Sequence, residues 1–162
     1  MDVITMPSTA SLLKQLKSNY PQLSFKKGDH FLWSPSENAV YYCDKIRNQS
    51  ILLLHELSHA LLGHTSYESD IQLITMEREA WDYAIKLAPS YNIEAPSQVI
   101  ESTLDSYRDW LHDRSTCPNC TATGLQVNKH SYQCPACNHQ WRVNEARTCA
   151  LRRYAINKKR TN

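Results

Sequence analysis

No stretch of this 162-residue chain is apolar for long enough to cross a bilayer, and its opening, MDVITMPSTASLLKQL, lacks the basic-then-apolar pattern of an export signal. A membrane-spanning class is excluded on these grounds, no membrane partner is expected, and the expected address is the cytoplasm. The chain also lacks internal repeats and low-complexity tracts. Its length excludes a multidomain machine and suits one compact core, or a core of about 110 residues with a small appendage. Acidic residues are nearly missing from one end. Residues 111–162 hold 9 Lys/Arg against 2 Asp/Glu, net +7, while residues 1–110 hold 9 against 14, net −5, which together give the formal +2. The two ends therefore meet different partners or different fields.

What is present reads as an α+β chain. Residues 8–19, STASLLKQLKSN, offer hydroxyl caps and place Leu12, Leu13 and Leu16 on one helical face. The segments QLSFKK, HFLWS and NAVYYC are rich in aromatic and β-branched residues and bounded by turn formers, so they predict a small antiparallel sheet. Residues 50–63 predict a second helix, with Ser50 as cap and Gly63 as stop; it is apolar nearly all round, as a central buried helix would be. Further helices are expected from about 70 to 87 and from about 97 to 112. At Ser115 the character changes, giving expected modules at 1–114, 115–145 and 146–162, the last a basic tail.

The second helix contains His55-Glu56-Leu57-Ser58-His59, an H-E-x-x-H. Residues four apart share a helical face, so His55 and His59 can present two imidazoles to one ion, with Glu56 beside them to take a proton from water. With 7 His and 8 Glu, a shuffled chain would contain this pattern roughly 1–2% of the time. Burial sharpens the point, because an unpaired polar side chain in an apolar interior costs on the order of 1–3 kcal/mol. Three such groups need a shared partner, and a metal ion is one; a hydrogen-bonded core cluster is the other reading.

A catalytic zinc takes a third protein ligand and keeps an open position. The candidates are His64, Glu77 and Glu79. His64 lies about 140° round the helix from His59 and beside the Gly63 stop, so it reads as a surface or helix-end histidine. Leu73, Glu77, Ala80, Ala84 and Leu87 step by four and three along one stripe, whereas Gln72, Thr75, Glu79, Asp82 and Lys86 form the opposite, solvated face. Glu77 is the expected third ligand and Glu79 the alternative.

The segments HELSHALLGH and MEREAWDYAIKLAP together resemble the ImmA/IrrE family of zinc metallopeptidases, within the gluzincin group, over roughly residues 20–90. The resemblance implies a zincin-like core, His55 and His59 as zinc ligands, Glu56 as general base and Glu77 as third ligand. Where the family pattern has Asp or Asn, four residues after that glutamate, this chain has Trp81, which offers only an N–H donor to a neighbouring ligand histidine. The resemblance further implies that NAVYYC borders the cleft and pairs with an extended substrate peptide; otherwise it is an edge strand whose Tyr41 and Tyr42 pack and point outward. The implied substrates are protein or peptide, among repressors and other regulators.

Cys117-Pro-Asn-Cys120 and Cys134-Pro-Ala-Cys137 look like the two knuckles of a zinc ribbon, a closed structural site. Two zinc ions per chain are thus expected, one catalytic and one structural. Two disulfides would conflict with the cytoplasmic expectation. Around the ribbon, Arg142, Arg147, Arg152, Arg153, Lys158, Lys159 and Arg160 accompany Trp141 and Tyr154, a set suited to phosphate contacts with aromatic stacking on a nucleic acid. The competing reading is a ribbon that docks on protein. His130 and His139 are read as solvent-facing, and Cys43 and Cys149 as small buried apolar groups.

Three functions compete: a zinc metallopeptidase with a targeting ribbon, a nucleic-acid or regulator-binding module on an inactive scaffold, and a DNA-associated protease similar to the SprT type. The last uses a third histidine well downstream, and residues 65–111 contain none.

Overall fold

The structure, a computed structural model, describes residues 8–45 and 48–156, which form an α+β arrangement of four α-helices and two small sheets. The described residues fall into two compact units, one within 1–66 and 75–102, the other within 67–74 and 103–162. The second unit therefore contains the 115–145 segment together with the start of one helix and the end of another.

In the first unit, helix α1 (Thr9–Asn19) starts where Ser8 Oγ accepts the Ser11 N–H at 3.2 Å, and it buries Leu12 and Leu16. Strands β1 (Ser24–Lys27), β2 (Leu32–Ser34) and β3 (Ala39–Tyr42) follow. Their order is β1-β3-β2, with β3 parallel to β1 and antiparallel to β2. The expected all-antiparallel sheet is thus corrected to a mixed one. The physical reason lies in β3, whose Ala39 and Val40 are both buried; a central position satisfies both rows of its backbone groups. Asn38, at φ 49°, supplies the left-handed turn that folds β3 back on β2. A second correction follows: β3 is interior and cannot pair with a peptide, and among the described residues the outer strand on that side is β2.

Helix α2 (Gln49–Leu61) is entered through Asn48 in the left-handed region rather than through a Ser50 cap. Its end is a Schellman turn. Gly63, at φ 69°, donates to Ala60 O at 3.2 Å, and the His64 N–H reaches His59 O at 3.0 Å. That turn folds residue 64 back over the helix instead of letting it run on.

Helix α3 (Asp70–Leu87) has the expected bounds, and α4 (Ser97–Ser115) runs three residues past the expected end. On α3, Leu73, Glu77, Ala80 and Ala84 are buried, while Gln72, Thr75, Glu79, Asp82 and Lys86 are exposed. The helical stripe decides this: buried positions recur every three to four residues.

The second unit carries an antiparallel sheet in chain order, β4 (Leu125–Asn128), β5 (Ser131–Gln133), β6 (Gln140–Val143) and β7 (Arg153–Ala155). Strand β7 lies in the segment read as a tail; Lys158, Lys159 and Arg160 lie outside the described residues. Cys117, Tyr132, Cys134, Trp141 and Val143 form its core cluster. Gly124 is needed there, since a side-chain carbon at that position would run into the Trp141 ring. The Asp70 carboxylate, buried at the start of α3, accepts from Arg114 Nε at 2.8 Å, Gln126 Nε2 at 3.2 Å and the Tyr132 hydroxyl. Arg114 also donates to the carbonyls of Lys129 and Asn144. Every charge in this buried pair has partners, which is the condition for tolerating it.

No helix among the described residues is long and apolar enough to cross a membrane.

Candidate functional site

Helices α2 and α3 bring His55, His59 and Glu77 together, all three buried. His55 Nε2 lies 3.1 Å from Glu77 Oε2, His59 Nε2 lies 3.5 Å from Glu77 Oε1, and the two Nε2 atoms are 3.2 Å apart. Ligand atoms held 2.0–2.1 Å from a tetrahedral zinc would stand about 3.3 Å from one another. The three observed separations bracket that edge length, so the donor set fits one metal ion. Of the two carboxylates weighed, Glu77 meets the histidines; Glu79 is 58% exposed and reaches His64 instead.

His64 is not the surface histidine expected from its helical angle. Its side chain is 10% exposed, with Nδ1 at 2.9 Å from His59 Nδ1 and Nε2 at 3.3 Å from Glu79 Oε2. The Schellman turn explains the difference, because the helical wheel stops applying after Leu61.

Trp33, which nothing in the motif pointed to, holds the same region from strand β2. Its backbone N–H donates to Glu56 Oε2 at 2.8 Å, and its indole Nε1 donates to His64 O at 2.8 Å. The first bond fixes the rotation of the Glu56 carboxylate. The link spans 23 residues and carries no local sequence signal.

The two histidines of this group have unequal surroundings. The His55 ring stacks on Trp81 with centroids 4.1 Å apart and planes 25° from parallel. His55 Nδ1 and Trp81 Nε1 are both buried without a hydrogen-bond partner. An Asp or Asn at position 81 could have accepted from that ring nitrogen; an indole cannot.

Electrostatically the cluster is an anion gripped by two bases. Burial pushes the Glu77 carboxyl up, but hydrogen bonds and charge from His55 and His59 outweigh it and hold it well below the usual range. Burial likewise opposes charge on His59, and the Glu77 carboxylate outweighs it, raising that imidazole above its ordinary value. For His64 burial prevails, reinforced by the His59 charge, so its value falls. A cavity of 560 Å³ beside the start of α2, lined by Thr9, Asp44, Asn48, Ile51, Ile93 and Pro96 among others, contains none of these residues.

In the second unit, Cys117, Cys120, Cys134 and Cys137 form the other metal-capable group. Cys117 Sγ and Cys137 Sγ are 3.7 Å apart, and Cys120 Sγ and Cys134 Sγ 3.5 Å. Four thiolates on zinc at 2.3 Å would stand about 3.8 Å apart. These distances suit a shared ion and exceed a disulfide, and all four thiols are free. The thiols also compete for charge. A hydrogen bond from Asn119 helps pull Cys137 down to about 6, whereas Cys120, despite the Ala122 backbone, is pushed up to about 12 by Cys137 and Cys134. The four Sγ atoms are placed as a group that could hold one metal ion.

The remaining expectations divide. Trp141 is fully buried, stacked near Tyr132 and His139 with its Nε1 donating to Arg114 O, so it cannot stack on a base. Arg147 lies over the rings of Tyr107 and Trp110, and Arg153 donates to Asp113 O. Tyr154 remains 45% exposed, with the Arg142 guanidinium over its ring. His130 and His139 are partly buried rather than solvent-facing. Cys43 is buried as expected; Cys149 is exposed and accepts from Asn144 Nδ2.

No protein-family model matches the chain, and no curated protein and no solved structure matches it.

Proposed function

We propose that the protein is a cytoplasmic zinc metallopeptidase of the ImmA/IrrE type, with a zincin-like first unit and a zinc-ribbon second unit. The observation that carries the reading is the convergence of His55 Nε2, His59 Nε2 and the Glu77 carboxylate at separations of 3.1 to 3.5 Å, with Glu56 next in the chain on the same helix. A zinc ion bound there would supply Lewis-acid chemistry at neutral pH. His55, His59 and Glu77 would hold the ion. Glu56, steadied by the Trp33 N–H, accepts the proton of the attacking water on its carboxylate and returns it to the leaving amine of the peptide. The substrate is a protein, of the repressor or regulator class by the same resemblance. The ribbon holds its own zinc as a structural ion.

A comparison of new protein N-termini in cells carrying the wild type or Glu56→Gln tests the reading. Termini that depend on Glu56 are expected. No difference between the two, with both proteins folded and holding two zinc ions, would sink the peptidase and favour a binding module on an inactive scaffold.

A second reading concerns the basic end, and what favours it is strand β7, exposed throughout and carrying Arg153 and Tyr154. We infer that this edge meets nucleic-acid phosphates. Binding that weakens with salt and with charge reversal at Arg152 and Arg153 is expected; binding indifferent to both would leave protein docking as the role.

A further inference from the structure

We propose that His64, held by Glu79, is the positioning residue that fixes the tautomer and orientation of His59 at the metal; the inference rests on the metal-binding reading of His55, His59 and Glu77. A neutral imidazole has one N–H and one lone pair. His59 Nε2 faces His55 and Glu77, so for that nitrogen to offer its lone pair to an ion, the proton must sit on Nδ1. Among the described residues, Nδ1 has His64 Nδ1 at 2.9 Å in position to take it. His64 must then accept at Nδ1, which places its own proton on Nε2, 3.3 Å from Glu79 Oε2. An ionised carboxylate only accepts. Each proton in the row from His59 through His64 to Glu79 therefore has a single consistent place, and the row ends on a carboxylate that is 58% exposed and still solvated.

Chain geometry supports the assignment independently. The Schellman turn at Gly63 and the Trp33 indole, which grips the His64 carbonyl at 2.8 Å, together seat the His64 ring, and its side chain is only 10% exposed. The contrast with His55 is within the same site: its Nδ1 finds no partner and its ring is located by stacking on Trp81. One ligand is aimed by hydrogen bonds, the other by packing.

Partners of this kind change metal affinity by about 10–100-fold when removed. The test measures zinc affinity of the full chain by competition with a chelating dye, for the wild type and for His64→Ala, His64→Asn, Glu79→Ala and Glu79→Gln. His64→Ala is expected to weaken one of two zinc ions by about 10–100-fold and to leave the cysteine-bound ion unchanged. His64→Asn, whose amide oxygen can stand where Nδ1 stands, is expected to recover most of that loss. Glu79→Gln keeps an acceptor and should stay within about threefold, and Glu79→Ala should lose more than Glu79→Gln. Nitrogen-15 spectra of the zinc-loaded wild type should show the His59 proton on Nδ1 and slow to exchange, and fast exchange in His64→Ala. If His64→Ala does not fold, the His64→Asn and Glu79→Ala measurements carry the decision. Two zinc ions in the wild type with undiminished affinity in His64→Ala, or in Glu79→Ala where His64→Ala is unusable, overturn this proposal alone. A wild type holding only the cysteine-bound ion overturns the metal reading as well.

Discussion

The two metal-capable groups differ in what surrounds them. His55, His59 and Glu77 project from two helices whose neighbours, Leu53, Leu54, Leu57, Ala80, Trp81 and Ala84, are buried hydrophobic groups. In the second unit, two of the five residues of the core cluster, Cys117 and Cys134, are themselves donors. The first group is carried by a core, and the second is a large part of one. The lesson is that donor count alone does not distinguish the two groups; the number of apolar side chains that would remain packed without an ion does.

Cys134→Ser should break this comparison most visibly. Structural zinc contributes about 10–16 kcal/mol in small zinc domains, so the variant is expected to lose one zinc equivalent and the ordered near-ultraviolet signal of the second unit, while the ion at His55 and His59 stays. Metal counting and circular dichroism check it; retained order in a one-zinc protein would show that the second unit does not depend on its ion.

His59→Ala should have the complementary effect. It is expected to remove the other zinc and all Glu56-dependent hydrolysis, yet keep far-ultraviolet helicity, because the leucines of α2 still pack. Collapse of the helices on metal counting and dichroism would mean that the ion holds the first core too.

Proton dependence sharpens the contrast within the first site. In the metal-free chain, His59 is raised above 6.5 and Glu77 held below 4.5. Their mutual stabilisation is full between about pH 4.5 and 6.5, lost as pH rises through the raised His59 value and lost as pH falls through the lowered Glu77 value. Zinc uptake runs the other way, since the imidazoles must be neutral to bind. Thermal denaturation at pH 5.5 and pH 8, with and without chelator, should show the metal-free first unit weaker at pH 8 and the gain from zinc larger there.

Trp81→Phe is the smallest expected change. It keeps a ring on His55 and removes an unpartnered N–H, so stability should move by less than about 1.5 kcal/mol. Zinc affinity should stay within about threefold, since no hydrogen bond to the ligand is lost. A tenfold drop would mean that the indole N–H serves the site.

Much of the site could be read in advance because it depends on helical periodicity. The buried stripe through Leu73, Glu77, Ala80 and Ala84 is a local pattern, and local patterns survive folding. The misses have the opposite character. The parallel pairing of β1 with β3 depends on which strand takes the middle of the sheet, and no spacing within either strand encodes that choice. His64 departs from its helical angle because a left-handed glycine redirects the chain one residue earlier. Trp33 reaches Glu56 across 23 residues, and composition alone does not show that the Trp141 ring is buried in the core of a small sheet. The grouping of Cys117, Cys120, Cys134 and Cys137 is legible for the same reason as that of the histidines, a fixed short spacing.

Strand β7 has a further consequence. It pairs with β6, the strand that carries Trp141, and so covers backbone N–H and C=O groups that would otherwise face solvent. Uncovered strand edges recruit other chains. Strand β7 is itself the outer strand of that sheet and carries Arg153, a charge of the kind that blunts an edge. Proteolytic trimming that removed residues 153–155 would leave the four cysteines in place but move the open edge inward to β6, so the trimmed protein would be more prone to aggregate.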